Sequence, residues 1–471
     1  MKQTLMAVGA IFAAGVVGAE EPKISDWYRE PESPAVRQAI ETFRDRKLGL
    51  MMHFGLYSQV GIVESWPLSD KDAYWARREV ERDIAGDGFK RAYFGLNRSF
   101  NPVRSRPDAW AKAAADNGFR YVAFTTKHHD GFCLFDTKET DYKSTDPSCP
   151  FSANPNADIV RGLFDACRAR GLGISAYFSK PDWHHEDFWE NRGEGFVTDR
   201  NPTYDTKAHP EKWARFRDFT RRQILELVNG YGPFDLLWLD GGWIAPRFGI
   251  DLGISQVVAE ARKVNPSLIV VDRASYTEHE NIVTPEQQVP GEVQEQPWET
   301  CMTMADNWGY HYDDVYKSPR TLIHMLVDVV AKGGNLALNV GPMPDGRLPQ
   351  PALERMREMG AWLKANGEAI YATRAQKPCR SGDWAFTRSK DGARVFAIRL
   401  WQEANRDDQV MFLPKAAELG DVKALVHLGT GSRLACVRSE NPPIKEFGFA
   451  VELPAGFARN PYADAFELIQ D

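Results

Sequence analysis

Asp240 closes an apolar run, 235–240 (DLLWLD), and stands directly before Gly241-Gly242. A strand that stops there delivers a carboxylate out of the hydrophobic interior, where it can attack carbon, bind a hydroxyl or take a proton. Its company is aromatic, with Trp238 two residues before and Trp243 three after. A turn or helix-capping aspartate, or a structural pair with Arg273, would explain the same residue without chemistry. Other apolar runs end in the same way. The run 48–53 closes on His53, 121–126 enters Lys127-His128-His129-Asp130, and 268–272 reaches Asp272-Arg273. The run 173–178, with Tyr177 near its end, leads to Ser179-Lys180-Pro181-Asp182-Trp183-His184-His185. Five of the ten histidines fall in this set, so one pocket could gather them.

Adjacent histidines on a strand face opposite ways, and His128-His129 lacks the HxH or HxxxH spacing usual in zinc sites. The pair therefore reads as hydrogen-bonding groups for a polyhydroxylated ligand, or as core packing, ahead of metal ligation. Paired-carboxylate chemistry needs a second acid. Between Arg273 and Trp298 stand Glu278, Glu280, Glu286, Glu292 and Glu295, most of them ordinary surface charges. Glu286 is set apart by Pro285, which stiffens the backbone before it. A further segment, 295–299, ends in Trp298-Glu299. Residue chemistry leaves Glu286 and Glu299 both open.

These groups converge only if their strands share one end of a sheet. Between the apolar runs, which include a sixth at 335–340 (NLALNV), the segments 106–117, 158–170, 214–228 and 254–264 carry apolar residues at helical spacing. Strands alternating with helices imply a parallel sheet, and the length suits a (β/α)₈-like barrel with its chemistry at the C-terminal strand ends. A doubly wound open sheet is the alternative, but no GxGxxG follows an early strand. From about 375 the pattern changes to short β runs at 384–388, 395–401, 409–413, 424–428 and 447–453, which predicts a C-terminal β-sandwich. The expected division is 1–19, 20–373 and 374–471.

The first segment reads as a secretory signal. Lys2 precedes an uncharged stretch that ends in Val17-Gly18-Ala19, shorter than the roughly 20 apolar residues of a spanning helix. A secreted or periplasmic protein without a membrane span follows, an uncleaved anchor being the alternative. The six cysteines show no CxxC pair or metal-ligand spacing. With 58 basic against 65 acidic residues among 471, there is no cationic surplus for nucleic acid. The 14 Trp, 15 Tyr and 26 Phe serve a core and also make the flat walls of ring-binding clefts.

Several segments resemble the α-L-fucosidases of glycoside hydrolase family 29. They are His53-Phe54-Gly55-Leu56-Tyr57-Ser58, Phe124-Thr125-Thr126-Lys127-His128-His129-Asp130-Gly131-Phe132 and Leu237-Trp238-Leu239-Asp240-Gly241. Further matches are Trp298-Glu299-Thr300-Cys301, Trp308-Gly309-Tyr310, Gly333-Gly334-Asn335-Leu336, Asn339-Val340-Gly341-Pro342 and Asn366-Gly367-Glu368-Ala369-Ile370-Tyr371. The resemblance implies a retaining exo-hydrolase, barrel then sandwich, acting on fucosylated oligosaccharide or polysaccharide, with no metal or organic cofactor. It implies Asp240 as nucleophile and Glu286 as acid/base, with Glu299 as the alternative. His53, His128, His129, Trp238 and Arg273 carry over as fucose-binding positions. Two departures touch the site. Glu64-Ser65-Trp66 replaces an adjacent Glu-Trp, with Glu64 and Trp66 as candidate sugar contacts. Tyr177-Phe178-Ser179 replaces Tyr-Tyr-Ser or Tyr-His-Ser, with Tyr177 as the candidate pocket tyrosine. The rival readings are an inactive secreted carbohydrate-binding protein on the same fold and a metal-dependent hydrolase built on the histidines.

Overall fold

A computed structural model describes residues 27–72, 76, 87–190, 197–414, 416–438 and 448–470; the expected signal segment 1–19 lies outside the described residues. Seven parallel strands form one sheet: β1 (Leu48–Met52), β2 (Tyr121–Lys127), β3 (Gly173–Ser179), β4 (Leu236–Asp240), β5 (Ile269–Asp272), β6 (Glu299–Thr303) and β7 (Asn335–Val340). They pair in the order β5-β4-β3-β2-β1-β7-β6. Around them run α1 (Pro34–Arg46), α2 (Asp87–Phe94), α3 (Pro107–Asp116), α4 (Ile159–Arg168), α5 (Pro210–Gly230), α6 (Ile254–Val264), α7 (Pro319–Ala331) and α8 (Gln350–Asn366). Every residue of the seven strands is buried, as a parallel sheet covered on both faces requires.

The eighth place is taken by irregular chain. Between the edge strands β5 and β6, Asn281 N–H donates to Val270 O at 2.9 Å, Val283 N–H to Pro297 O at 2.9 Å, and Gln287 N–H to Cys301 O at 3.0 Å. Pro285 has no N–H to give, and Gln287 has φ +53, so a regular ladder cannot form there. Glu286 sits on this segment.

Strand alternation sorts the side chains. Tyr121 and Ala123 of β2 enter an inner cluster with Met51, Tyr177, Trp238 and Val271, while Val122 and Phe124 join the layer under the helices. Val36, Ile40 and Phe43 of α1 belong to the inner cluster, so this helix plugs the N-terminal end of the curled sheet. The open end is left to the strand C-termini.

The remaining strands are β8 (Thr373–Ser381), β9 (Trp384–Ser389), β10 (Val395–Leu400), β11 (Val410–Leu413), β12 (Val422–His427), β13 (Arg433–Ala435), β14 (Val437–Arg438), β15 (Phe449–Glu452) and β16 (Ala463–Gln470). They make two antiparallel sheets, β13-β12-β16-β10-β9-β8 and β11-β15-β14. Trp384, Phe386, Met411, Leu413, Val451 and Phe466 fill the core between them, the packing of a sandwich. No described helix is long and apolar enough to cross a membrane.

Candidate active site

Asp240 ends β4 with its side chain 12% exposed. Its Oδ2 accepts from the Tyr177 hydroxyl at 2.6 Å and its Oδ1 from Arg273 Nη1 at 2.8 Å. Burial opposes ionisation, but Arg273, His129 and the Tyr177 hydrogen bond outweigh it and hold the carboxyl well below the usual carboxylate range. The pair with Arg273 is half of a larger arrangement. The other terminal nitrogen of the same guanidinium, Nη2, donates to Glu286 Oε2. One buried cation thus bridges two carboxylates. Burial pushes the Glu286 carboxyl up, Arg273 pulls it down and Asp240 pushes it up again; the net is a raised pKa. The two acids are driven apart, one kept ionised and the other drawn toward its protonated form.

Glu299 stands elsewhere. The sequence placed it at a strand end, but it is the first residue of β6, in register with Asn335 at the start of β7. It therefore lies at the plugged end of the sheet. Its Oε2 accepts from the Tyr121 hydroxyl at 2.5 Å and its Oε1 from the Trp238 indole at 3.2 Å. Burial, opposed by those two bonds, raises its pKa to about 7. Trp238 in turn stacks on Tyr177 with centroids 5.2 Å apart, so Glu299 supports the ring beneath the residue that holds Asp240.

The expectation that His128 and His129 face opposite ways fails, because β2 ends at Lys127 and both residues lie in the turn beyond it. Their rings are 4.3 Å apart. His129 Nε2 lies 3.7 Å from Asp240 Oδ2, and the Nδ1 of His128 meets Ser65 Oγ at 2.6 Å. His128, His129 and Asp240 offer ligand atoms within 4.8 Å of one another, a set that could reach a metal. Arg273 and Tyr177 already occupy both oxygens of the carboxylate, and a neighbouring guanidinium disfavours a cation there. His53, just after β1, sets its Nδ1 2.8 Å from Asn339 Oδ1. That acceptor assigns the proton to Nδ1 and leaves Nε2 with a lone pair. Burial lowers His53 and His129 to about 4 and holds His128 well below its ordinary value, so all three are neutral near pH 7. The cation beside Asp240 is therefore the Arg273 guanidinium and not a protonated histidine.

Residues 18–368 match the family model for Alpha-L-fucosidase. The chain belongs to this family. It is 30% identical over 446 residues to the plasma alpha-L-fucosidase of Homo sapiens, covering 90% of this chain and 87% of the relative. An alpha-L-fucosidase of Branchiostoma floridae is 30% identical over 381 residues, 76% and 78% of the two chains. Among solved structures, alpha-L-fucosidase isoenzyme 1 from Paenibacillus thiaminolyticus superposes with a TM-score of 0.76 at 30% identity, covering 93% of this chain and all of the other. The Thermotoga maritima alpha-fucosidase in complex with fucose gives 0.71 at 26% identity, over 94% of this chain and 100% of the other.

In this family member the remaining candidates contact neighbours of the two carboxylates: Trp66 meets His129, Glu64 the Trp308 loop and Trp238 Arg273. Trp66 follows Glu64-Ser65, and its ring centroid is 5.3 Å from His129, 5.5 Å from Trp183 and 5.6 Å from Trp243. Glu64 is buried at φ +39, and its Oε1 accepts from Gly309 N–H at 2.7 Å. A non-glycine residue held at positive φ marks a position the surroundings enforce. Trp238 is 2% exposed and lies under Arg273, with the guanidinium carbon 5.2 Å from its centroid; it is floor more than wall.

Three site residues escaped the sequence reading. The Trp308 side chain lies beside Glu286 and favours its ionised form, and the Trp308 carbonyl accepts from Asn339 Nδ2 at 2.7 Å. Asn339 binds both Trp308 and His53, and it stands second to last in β7, where the rule used for Asp240 would have found it. Ser65 bonds His128, with no signal in its type. Gly341 lets the Trp308 loop lie on β7, since a Cβ there would sit 2.3 Å from Gly309 C and Tyr310 N.

Proposed function

We propose that the protein is an exo-acting retaining α-L-fucosidase that releases terminal fucose from fucosylated oligosaccharides or polysaccharides. The observation that carries this reading is the Arg273 guanidinium bridging Asp240 and Glu286. Two carboxyl groups on neighbouring nitrogens of one guanidinium suit the close pair, roughly 5–5.5 Å apart, of a retaining glycosidase. They suit less well the roughly 6.5–9.5 Å that leaves room for a water in an inverting one.

Asp240, held ionised, attacks the anomeric carbon while Glu286 donates its proton to the leaving oxygen. A glycosyl ester on Asp240 results, and the departing alcohol carries the proton. Glu286, now a carboxylate, takes a proton from water, whose oxygen attacks the anomeric carbon and frees the aspartate. Arg273 offsets negative charge that moves between the two acids. The Nε2 of neutral His53 can accept from a sugar hydroxyl, as a charged imidazole could not, and the Nε2 of His128 or His129 can donate or accept according to its tautomer. The half-buried rings of Trp66 and Trp243 offer apolar surface to the 6-methyl group of fucose. No step needs a metal.

The name of the plasma relative and the signal-like segment 1–19 support export to a secreted or periplasmic location. The family match ends at 368, just before β8 begins at Thr373, which supports a barrel over 20–373 and a sandwich over 374–471. The test is Asp240→Gly with an aryl α-L-fucoside. Turnover is expected to fall on the order of 10³-fold or more with the fold intact, and azide to restore part of it. Near-native turnover would remove Asp240 from the mechanism, and fucose binding by the native protein without any turnover would favour a binding protein.

A further inference from the structure

The loop that carries Trp308 serves two cavities. Trp308 faces Glu286 in the catalytic site, while Tyr310 and Tyr312, two and four residues on, line a separate cavity of about 630 Å³. Its other walls come from the first turns of α3 and α8 and from the chain just before each helix. That volume falls within the range of small-ligand sites, roughly 300–1,000 Å³.

Two features of its rim point to sugar. The first is aromatic. Tyr312 is 79% exposed and Val315 on the same loop 66%, so the loop turns apolar surface to solvent beside the cavity. The His311 ring stacks on Tyr312 with centroids 5.3 Å apart and planes 19° apart, which braces one face of the tyrosine while the exposed side chain presents the other. Such a face matches the C–H face of a pyranose, as a buried core ring does not. The second is polar. Arg104, Arg106 and Arg347 line the cavity with side chains 59%, 66% and 52% exposed. Asp345 is shared by Arg347 at 2.7 Å and Arg104 at 3.6 Å, and Asp108 lies 3.2 Å from Arg106. Asp314 is engaged inward, its Oδ1 accepting from the N–H groups of Asp306 and Asn307 and from Asn307 Nδ2. Each guanidinium has five N–H donors, more than these contacts use. Three cations thus stand against three carboxylates. The rim is rich in hydrogen-bonding groups whose charges are paired, which fits hydroxyls better than a sulfate or carboxylate.

We propose that this cavity is a second saccharide subsite, taking a neutral pyranose of the substrate's non-fucosyl part while fucose occupies the catalytic pocket. The inference rests on the fucosidase reading and narrows it to substrates with several sugars beyond the fucose. Tyr312 is the platform, and the arginines hold hydroxyls.

The test compares an aryl α-L-fucoside, which has no further sugar, with neutral fucosylated tri- to pentasaccharides. Tyr312→Ala should raise KM for the longer oligosaccharides roughly tenfold, the scale of one aromatic contact, and leave the aryl fucoside within about twofold. Arg104→Gln should act in the same direction. Equal effects on both substrate types, or none on either, would overturn the subsite. A native preference for a sulfated or uronic-acid oligosaccharide over its neutral parent, lost in Arg104→Gln, would overturn the neutral assignment. Direct titration with the matching defucosylated oligosaccharide separates this from the fucosidase reading. Binding weakened by Tyr312→Ala supports the subsite even if the native protein fails to cleave the aryl fucoside, and absence of binding to the native protein rejects it.

Discussion

Arg273→Lys keeps a positive charge but exchanges a planar fork that meets two carboxylates for a single ammonium that meets one. In the structure Nη1 holds Asp240 at 2.8 Å and Nη2 holds Glu286. The variant retains one of these bonds and loses the other. A hydrogen bond to a charged group contributes about 1.5–3 kcal/mol, which lowers kcat/KM by roughly 10- to 150-fold if the bond is present in the transition state. The pH profile supplies the sign. Asp240 must be ionised, which sets the acid limb, and Glu286 must be protonated, which sets the alkaline limb. Arg273 lowers the pKa of both. Whichever carboxyl the ammonium abandons titrates at higher pH, so one limb moves toward alkaline pH and neither moves toward acid. The assay is kcat/KM on an aryl fucoside across pH, with circular dichroism to verify the fold. Both limbs unmoved, with kcat/KM within about threefold of native, would refute the bridging role.

Three further outcomes follow from the same geometry. Glu286→Ala should slow unactivated oligosaccharides far more than a dinitrophenyl fucoside, whose leaving group departs unaided, whereas Glu299→Ala should slow both about equally; steady-state kinetics on the two substrates decides, and the reverse pattern would move the acid to Glu299. Lys47 is buried with no hydrogen-bond partner for its Nζ among the described residues, and burial first, then Arg374 and Arg44, pushes it down to about 7. The unfolded chain binds more protons above that value, so stability rises with pH from about 7 to the free-lysine range of about 10.4, and the penalty is complete below 7. Lys47→Met should therefore raise Tm at pH 6 and raise it less at pH 10, with equal Tm at pH 6 as the contrary result. EDTA should leave turnover unchanged, and loss of activity restored by a divalent cation would bring His128, His129 and Asp240 back as ligands.

The strands that position the site were legible because a parallel sheet buried on both faces writes itself as apolar runs. All six barrel runs read from sequence correspond to strands, to within a residue or two at each end. The strand that was missed, Glu299–Thr303, is mostly polar (ETCMT), its threonines and glutamate satisfied by hydrogen bonds inside the barrel. Without an apolar run to announce it, Glu299 was read at the wrong end of its strand. β16 (ADAFELIQ) was missed for another reason, since alanine, glutamate and leucine favour helix and only the paired sheet makes it a strand. Asp240, Arg273 and the histidines could be named because each follows such a run. The bridge of Arg273 to Glu286 could not, since it joins β5 to an irregular segment whose path depends on Pro285 and on Gln287 at positive φ. Trp308 and Ser65 act through loops, whose geometry has no period to read.

The most direct test of the Asp240 ester is to trap it. A 2-deoxy-2-fluoro-fucosyl fluoride reacts through its good leaving group, while the fluorine slows hydrolysis of the resulting ester. Native protein treated with it, digested and mapped by mass spectrometry should carry one fluorofucosyl group, on Asp240. A label on Glu286 or another residue, or release of β-fucose from α-fucosides with no label at any position, would contradict the proposed double displacement.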